Sequence, residues 1–185
     1  MRGKSRVIAT LLIATVAPLA ACGGGSGHRT AAPRSTVTMD TSWAESYHAL
    51  SPLKAHSELA VEGTITGVQS TATTDDGIPF TDFAFTVSTI LFDPGHRGSV
   101  GRTITLHQTG GTVNGRQWQA ADDAAFRVGE QLVLFLREPR PGLFMVVGGP
   151  TGRFEISNGT LTPAANDGVR FAGSARAFAA AVSKA

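Results

Sequence analysis

The segment that decides the fold is LAVEGTIT, from Leu59 to Thr66. Leucine, valine, glycine and isoleucine alternate in it with alanine, glutamate and threonine. This period of two residues predicts a half-buried β-strand, because successive side chains of a strand point to opposite faces of the sheet. The segment DFAFTVST, residues 82–89, repeats the alternation. Two neighbouring strands are therefore expected at the centre of the domain.

Short strands are predicted along the rest of the chain, at residues 103–108, 117–119, 132–136, 143–147, 154–157 and 160–162. The segment LVLFL at 132–136 is apolar throughout, so both of its faces are expected to be covered. Asn114-Gly115 and Asn158-Gly159 carry the signature of type I′ hairpin turns. A polar loop is expected at 71–79 and turns at 93–95 and 137–142. About eight short strands predict an all-β domain, an antiparallel barrel or barrel-like sandwich, with an OB-like barrel as one form.

A short helix is predicted at each end of this domain. Ser42 and Glu45 form a capping-box pattern, and a further helical turn is expected at 53–58. Ser174 is expected to cap the C-terminal helix. The apolar residues that share a helical face are Trp43, Tyr47 and Leu50 near the start, and Phe178, Ala181 and Val182 near the end.

The first 21 residues read as a signal peptide. Arg2, Lys4 and Arg6 form a positively charged beginning, and residues 7–19 are apolar and uncharged. An apolar run of this length suits a signal peptide, whereas a membrane span needs roughly 20 residues. The run ends in LAAC, residues 19–22. The sequence therefore predicts export of the mature chain.

The tetrapeptide LAAC resembles the lipobox of bacterial lipoproteins, an aliphatic residue and two small residues before a cysteine. The resemblance implies cleavage between Ala21 and Cys22 and a diacylglyceryl group on the Cys22 thiol. Two acyl chains hold a protein stably on a membrane. The expected location is the outer face of the cell membrane, with the lipid as the membrane contact. An ordinary secretory signal that ends near a cysteine is the alternative.

The charge and the cysteine content bear on nucleic-acid binding and on disulfide bonds. The chain has 16 Lys and Arg and 14 Asp and Glu, and three of the basic residues precede Cys22. Thirteen basic residues against 14 acidic ones remain in the mature chain, a formal charge of −1. This balance gives no support for nucleic-acid binding. Cys22 is the only cysteine, so an intrachain disulfide is impossible and the core must hold the exported domain together.

The mature chain divides into a tether and one domain. Residues 22–39 comprise the lipidated cysteine and a Gly- and Ser-rich stretch that is expected to be flexible. Sixteen residues of such a chain span roughly 20–25 Å root-mean-square. Residues 40–185 fit a single β-rich domain of ordinary size.

Three blocks together resemble a group of uncharacterised secreted or lipid-anchored bacterial proteins of the actinobacterial type: LAVEGTI at 59–65, FRVGEQLVLFL at 126–136 and VVGGPTGRF at 146–154. The block VGEQLVLFL is also similar to the OB-type barrel of tissue-inhibitor-of-metalloproteinase and netrin-like modules. That similarity implies a barrel. Those modules use disulfides and an N-terminal cysteine to bind a protease metal, so no inhibitory residue is carried over to this chain.

The residue patterns do not indicate a catalytic or metal centre. Asp75-Asp76 and Asp122-Asp123 are neighbours whose side chains point apart on an extended chain, so both pairs are expected to be solvated loop acids, with Asp122-Asp123 also hydrogen-bonding near Phe126. The histidines, which do not form a zinc-binding pattern, are His28, His48, His56, His96 and His107. His107 is expected on the outer strand face. No cofactor is expected, because the sequence has no phosphate-binding loop and no serine-nucleophile motif.

Binding surfaces are expected on the loops at 71–79 and 110–118. Trp118 is the candidate stacking residue, with Asn114 and Arg116 beside it; core packing is the alternative for this tryptophan. Trp43 is expected to pack the first helix onto the barrel. The expected function is a non-enzymatic binding or accessory module of the cell envelope, with an envelope protein or a glycan as partner.

Two other functions stay open. One is a hydrolase assembled from residues distant in sequence, which would be marked by His107 or His48 within hydrogen-bond reach of a carboxylate at the floor of a pocket. The other is a protease-inhibitor-like module, on the barrel similarity.

Overall fold

The computed structural model describes residues 35–41 and 43–185. The strands are β1 (Ser35–Met39), β2 (Leu59–Thr73), β3 (Pro79–Phe92), β4 (Thr103–Thr109), β5 (Gly111–Val113), β6 (Arg116–Ala120), β7 (Gln131–Arg140), β8 (Leu143–Val146), β9 (Arg153–Ser157), β10 (Thr160–Pro163) and β11 (Gly173–Ser174). The helices are α1 (Leu50–Ala55), α2 (Ala175–Lys184) and one 3₁₀ turn at Gly149–Gly152. Within these residues no helix has the length and apolarity to cross a membrane.

Five strands close into a ring. The large sheet has the order β11-β10-β9-β7-β2-β3-β4-β8, and β7 also pairs with β8. Neighbours in the ring are antiparallel except β4 and β8, which are parallel. A closed five-stranded ring with this Greek-key connectivity occurs in OB-type barrels. The expectation of an all-β, barrel-like fold with short terminal helices is confirmed.

The ring is packed on both sides along β2 and β7. In β7, Leu132, Leu134 and Leu136 belong to the cluster that fills the barrel. Val133 and Phe135 point the other way and pack in a second cluster with Phe154 and the helices. All five residues of 132–136 are buried, which confirms that both faces of this segment are covered. The strand continues to Arg140, so the turn expected at 137–142 is wrong for residues 137–140. The pairing of β7 with β8 shifts register between Arg137 and Arg140. Pro139 is tolerated at this irregularity, because a proline has no N–H to donate to the neighbouring strand.

A small second sheet lies beside the end of the β2–β3 hairpin. Its order is β1-β6-β5, with β1 parallel to β6 and β5 antiparallel to β6. The strand β1 corrects the tether prediction for residues 35–39, because five backbone pairings to a distant strand outweigh the weak local signal of this polar segment. The remaining tether residues, 22–34, lie outside the described residues.

Gly110 and Gly111 let the small sheet approach the barrel. The Gly110 amide donates to the Pro79 carbonyl at 2.7 Å, and the Thr81 hydroxyl donates to the Gly110 carbonyl at 2.9 Å. Gly111 has φ +142°, and a Cβ there would lie 2.2 Å from the Thr81 Oγ1. Only glycine fits this close approach between backbone and strand.

The N-terminal helix predicted from the spacing of Trp43, Tyr47 and Leu50 is wrong for residues 43–49. The helix α1 begins at Leu50, and residues 43–49 are irregular. Long-range contacts hold this stretch: the Trp43 indole donates to Asp122 at 2.6 Å, and Glu45 pairs with Arg137. The capping residue Ser42 lies outside the described residues.

The predictions of the Asn-Gly turns and of the cap of the C-terminal helix are confirmed. Ser174 caps α2 by accepting a hydrogen bond from the Ala177 amide at 3.2 Å. Asn114 and Gly115 have φ of 52° and 74°, the left-handed values that a type I′ turn requires, and Asn158-Gly159 does the same. The loop expected at 71–79 is shorter, because β2 continues to Thr73 and β3 begins at Pro79.

Candidate functional site

A groove of about 390 Å³ lies between the small sheet and the end of the β2–β3 hairpin. One wall comes from the β5–β6 hairpin and contains Trp118; the other comes from the end of β2 and the turn after it. We call it the Trp118 groove, and its lining residues are Thr73, Gly77, Pro79, Val113, Asn114, Arg116 and Trp118. The groove thus contains all three residues that the sequence singled out and parts of both expected loops.

The register of the small sheet sets the first wall. Val113 pairs with Arg116 and Gly111 with Trp118, so these side chains share one face of the sheet. The opposite face carries Thr112, Gln117 and other polar residues. Because Gly111 has no side chain, nothing on β5 covers the Trp118 ring from directly across the strand pair. Trp118 is half-buried, which leaves part of its ring open to the groove.

The rim of the groove is polar and cationic on the Trp118 side. Asn114 and Arg116 are both exposed at the β5–β6 turn. Among the residues that the structure describes, no carboxylate lies within 4.0 Å of the Arg116 guanidinium. The turn on the opposite wall carries exposed Asp75 and Asp76. The two walls therefore differ in charge, and the wall that carries the cation also carries the aromatic ring of Trp118.

A buried charged cluster around Arg153 was not predicted from the sequence. Arg153, the first residue of β9, is 1 % exposed. Its Nη2 donates to Glu130 at 2.6 Å, its Nη1 donates to the Ala124 carbonyl at 2.6 Å, and Asp123 lies 3.5 Å from Nη1. The guanidinium also stands over the Phe126 ring, 4.5 Å from its centre. Arg153 alternates with Phe154 and shares a strand face with Glu155, so the period-two pattern of β9 did not indicate its burial.

This cluster corrects the prediction for Asp122-Asp123. Asp123 accepts a hydrogen bond from the Gln108 amide at 2.9 Å, and its burial raises the pKa of its carboxyl group, against the opposing effects of Gln108 and Arg153. Asp122 is exposed but accepts hydrogen bonds from Thr41 and Trp43. The Phe126 amide is satisfied by Gln108 rather than by either aspartate. The pair is structural, and it joins three distant parts of the chain.

Trp43 does not pack α1 onto the barrel as expected. Its ring lies against Gly149, where a Cβ would come within 2.5 Å of Trp43. Near it, the Tyr47 hydroxyl donates to Glu45, which also pairs with Arg137. The hydrogen bond from Tyr47, followed by the charge of Arg137, lowers the pKa of the Glu45 carboxyl group. Burial and Glu45 raise the pKa of Tyr47 to about 12, so both groups keep their usual forms at neutral pH.

His107 meets only half of the condition set for a hydrolase. Its Nδ1 lies 2.7 Å from Asp82, as a direct cross-strand pair, and its ring packs on Phe80. The other Asp82 oxygen accepts a hydrogen bond from Ser70, so the carboxylate, not the imidazole, contacts the serine. A serine nucleophile needs the reverse order, with the histidine in the middle. The cavity that His107 lines is about 30 Å³, room for about one water molecule.

His107 is also less open than expected: its side chain faces away from the barrel interior but is only 16 % exposed. The other described histidines are His48, His56 and His96. His48 contacts the Asp167 carbonyl, and His56 contacts the Pro52 carbonyl of its own helix. His96 occupies a turn with φ 51°. Across residues 35–41 and 43–185, no three side chains of metal-ligating type come together. His28, Ala21 and Cys22 lie outside the described residues.

Comparison with known proteins does not assign the chain to a family. No protein-family model matches it, and no curated protein matches its sequence.

Proposed function

We propose that this protein is an exported, lipid-anchored binding module of the cell envelope, without catalytic activity of its own, which takes its partner at the Trp118 groove. The observation that carries the proposal is the convergence of Trp118, Arg116 and Asn114 with the β2–β3 turn around one open groove. An aromatic face flanked by exposed polar groups is the usual make-up of a site for a glycan or a protein segment.

The barrel gives this groove a rigid support. In OB-type barrels, the loop between the first two strands contributes to ligand binding. Here the first two strands of the ring are β2 and β3, and their turn forms one wall of the groove. Loops held by a rigid scaffold commonly carry binding. The aromatic ring of Trp118 and the exposed charge of Arg116 support the same site independently of the architecture.

The proposed address rests on the first 22 residues. A charged beginning, a short apolar run and LAAC before the only cysteine are together the features of a lipoprotein signal. The mature chain would then sit on the outer face of the cell membrane through two acyl chains. The resemblance to secreted and lipid-anchored actinobacterial-type proteins supports the same proposal.

Photo-crosslinking in intact cells tests the binding site. A photoreactive phenylalanine replaces Thr73, an exposed residue of the groove wall, or Thr89, an exposed residue of β3 away from the groove. We expect a defined adduct, whether protein, glycan or lipid, from position 73 and not from position 89. We also expect Trp118→Ala to remove it. Identical adduct patterns at the two positions would refute the groove as the binding site.

A protease-inhibitor-like role is the second candidate, because the closed five-stranded ring is the architecture that the netrin-like similarity implies. The purified protein would then inhibit an envelope protease tightly. Lack of inhibition across a protease panel would remove this candidate without affecting the binding proposal.

A further inference from the structure

We propose that the Trp118 groove faces the membrane and that its partner is the anionic headgroup surface of the bilayer. The proposal rests on the lipid anchor of the proposed function and adds the orientation of the domain and the chemical class of its partner.

The chain joins the domain directly beside the groove. The strand β1 runs parallel to β6, with Ser35 paired to Arg116 and Val37 paired to Trp118. Arg116 in turn pairs with Val113, so Ser35 lies at the same end of the small sheet as the Asn114-Gly115 turn. The point at which an N-terminal anchor pulls on the domain is therefore the rim of the Trp118 groove.

The length of the connecting chain keeps that rim near the lipid. Twelve residues, from Gly23 to Arg34, separate Cys22 from Ser35. Fully extended, this connection reaches at most about 45 Å. Its glycines and small polar residues predict a root-mean-square span of about 20 Å. A domain of this size is about 40 Å across, so the far end of β3 is expected to stay farther from the bilayer than the groove.

The charges on the anchor side suit an anionic surface. The connecting chain contains Arg29 and Arg34, and residues 23–39 contain no aspartate or glutamate. Arg116 adds a third cation at the point where this chain meets the small sheet. Basic residues beside a membrane are attracted to anionic lipids, each by about five-fold in binding. The whole mature chain is slightly acidic, so the attraction depends on this local arrangement.

The side chains between the cations suit the headgroup region. Tryptophan prefers the boundary between lipid and water, because its ring is apolar and its N–H is polar. Ile78, in the turn that forms the opposite wall, is 48 % exposed. Asp75 and Asp76 in the same turn would repel anionic lipid. We therefore expect Arg116 and Trp118, on the anchor side, to make the contact.

Fluorescence quenching on vesicles tests the orientation. The full-length lipidated protein is reconstituted into phosphatidylcholine vesicles with or without one part in three of phosphatidylglycerol. Thr112→Cys places a dye on β5, in the small sheet that forms one wall of the groove, on the sheet face opposite Trp118. Pro94→Cys places it in the exposed turn after β3. Because Cys22 is the only natural cysteine and lipidation consumes its thiol, each variant offers one reactive thiol. A headgroup-attached quencher reports proximity.

We expect stronger quenching at position 112 than at position 94, and a further increase when phosphatidylglycerol is present. In vesicles that contain phosphatidylglycerol, Arg116→Gln should lower the ratio of domains in contact with the headgroups to domains out of contact, measured by the quenching, about five-fold. In vesicles of phosphatidylcholine alone, this ratio should not change. The matched exposed variant Asp76→Asn should not lower it. Equal quenching at the two positions, or an unchanged ratio in Arg116→Gln, would overturn the proposal.

The experiment distinguishes a failure of the proposed lipid anchor from a failure of the proposed orientation. If the wild-type protein does not float with the vesicles, the lipid anchor itself is wrong and this inference falls with it. If it floats but the dyes are quenched equally, the anchor stands and the orientation is wrong. A protein or glycan adduct at position 73, with no lipid adduct, would also overturn the headgroup partner while supporting the binding module.

Discussion

Arg153→Met should destabilise the fold strongly, because it removes the cation that faces two buried carboxylates. The Arg153 side chain is 2 % exposed, and those of Glu130 and Asp123 are 9 % and 11 % exposed. Breaking a buried ion pair by removing one partner costs about 3–5 kcal/mol. Methionine keeps much of the aliphatic volume against Phe126, so the loss of charge dominates. The expected loss is a large share of the roughly 5–15 kcal/mol that stabilises a typical domain.

The loss should depend on pH. Burial already raises the pKa of Asp123 while Arg153 opposes this effect, so removal of Arg153 should raise the pKa further. A carboxyl group whose pKa is raised in the folded state contributes stability at low pH and loses it as the pH rises through that pKa. The difference between Arg153→Met and wild type should therefore shrink between pH 7.5 and pH 5.

Urea denaturation followed by circular dichroism measures both effects. The control is Arg137→Met, whose ion pair with Glu45 is 45 % exposed on the arginine side and should contribute under about 1 kcal/mol. Adding Glu130→Gln and Asp123→Asn to Arg153→Met should recover part of the stability, because the uncompensated charges are then gone. A loss below about 1 kcal/mol for Arg153→Met, or the same loss at both pH values, would refute this reasoning.

Three other predictions test the small sheet, the N-terminal segment and the address. Gly111→Ala should cost about 1–3 kcal/mol and alter Trp118 fluorescence, since its Cβ would meet Thr81; Gly115→Ala, in open space at φ 74°, should cost about 1–2 kcal/mol and leave that fluorescence unchanged. Equal spectra for the two variants would count against the docking role of Gly111. The lowered pKa of Glu45 means that its contribution is present above pH 4.5 and is lost as the pH falls through the folded-state pKa, so the stability gap between Glu45→Gln and wild type should narrow in acid titrations; a gap that does not narrow below pH 4.5 would contradict this. Cys22→Ala should abolish lipid labelling and leave unprocessed precursor, and normal processing of that variant would argue for an ordinary secretory signal.

The parts of the fold that the sequence determined are those with local causes. The alternation in LAVEGTIT and DFAFTVST, the uninterrupted LVLFL, the Asn-Gly turns and the Ser174 cap all act within a few residues. Their physical effects, such as side-chain alternation, a positive φ or a capped amide, do not depend on the rest of the chain. The three residues of the candidate site were predictable for a related reason: a tight hairpin places Asn114, Arg116 and Trp118 close together wherever it sits.

Only the tertiary structure decided which distant segments meet. The spacing of apolar residues from Trp43 to Leu50 predicts a helix, but residues 43–49 are irregular, and Trp43 donates a hydrogen bond to Asp122, 79 residues away. The polar segment at Ser35–Met39 becomes a strand because β6 offers it a partner. Arg153 is buried because Glu130 and Asp123 come from another part of the chain to meet it. Periodicity records what a segment prefers alone, whereas pairing energies between remote segments arise only when the barrel has brought them together.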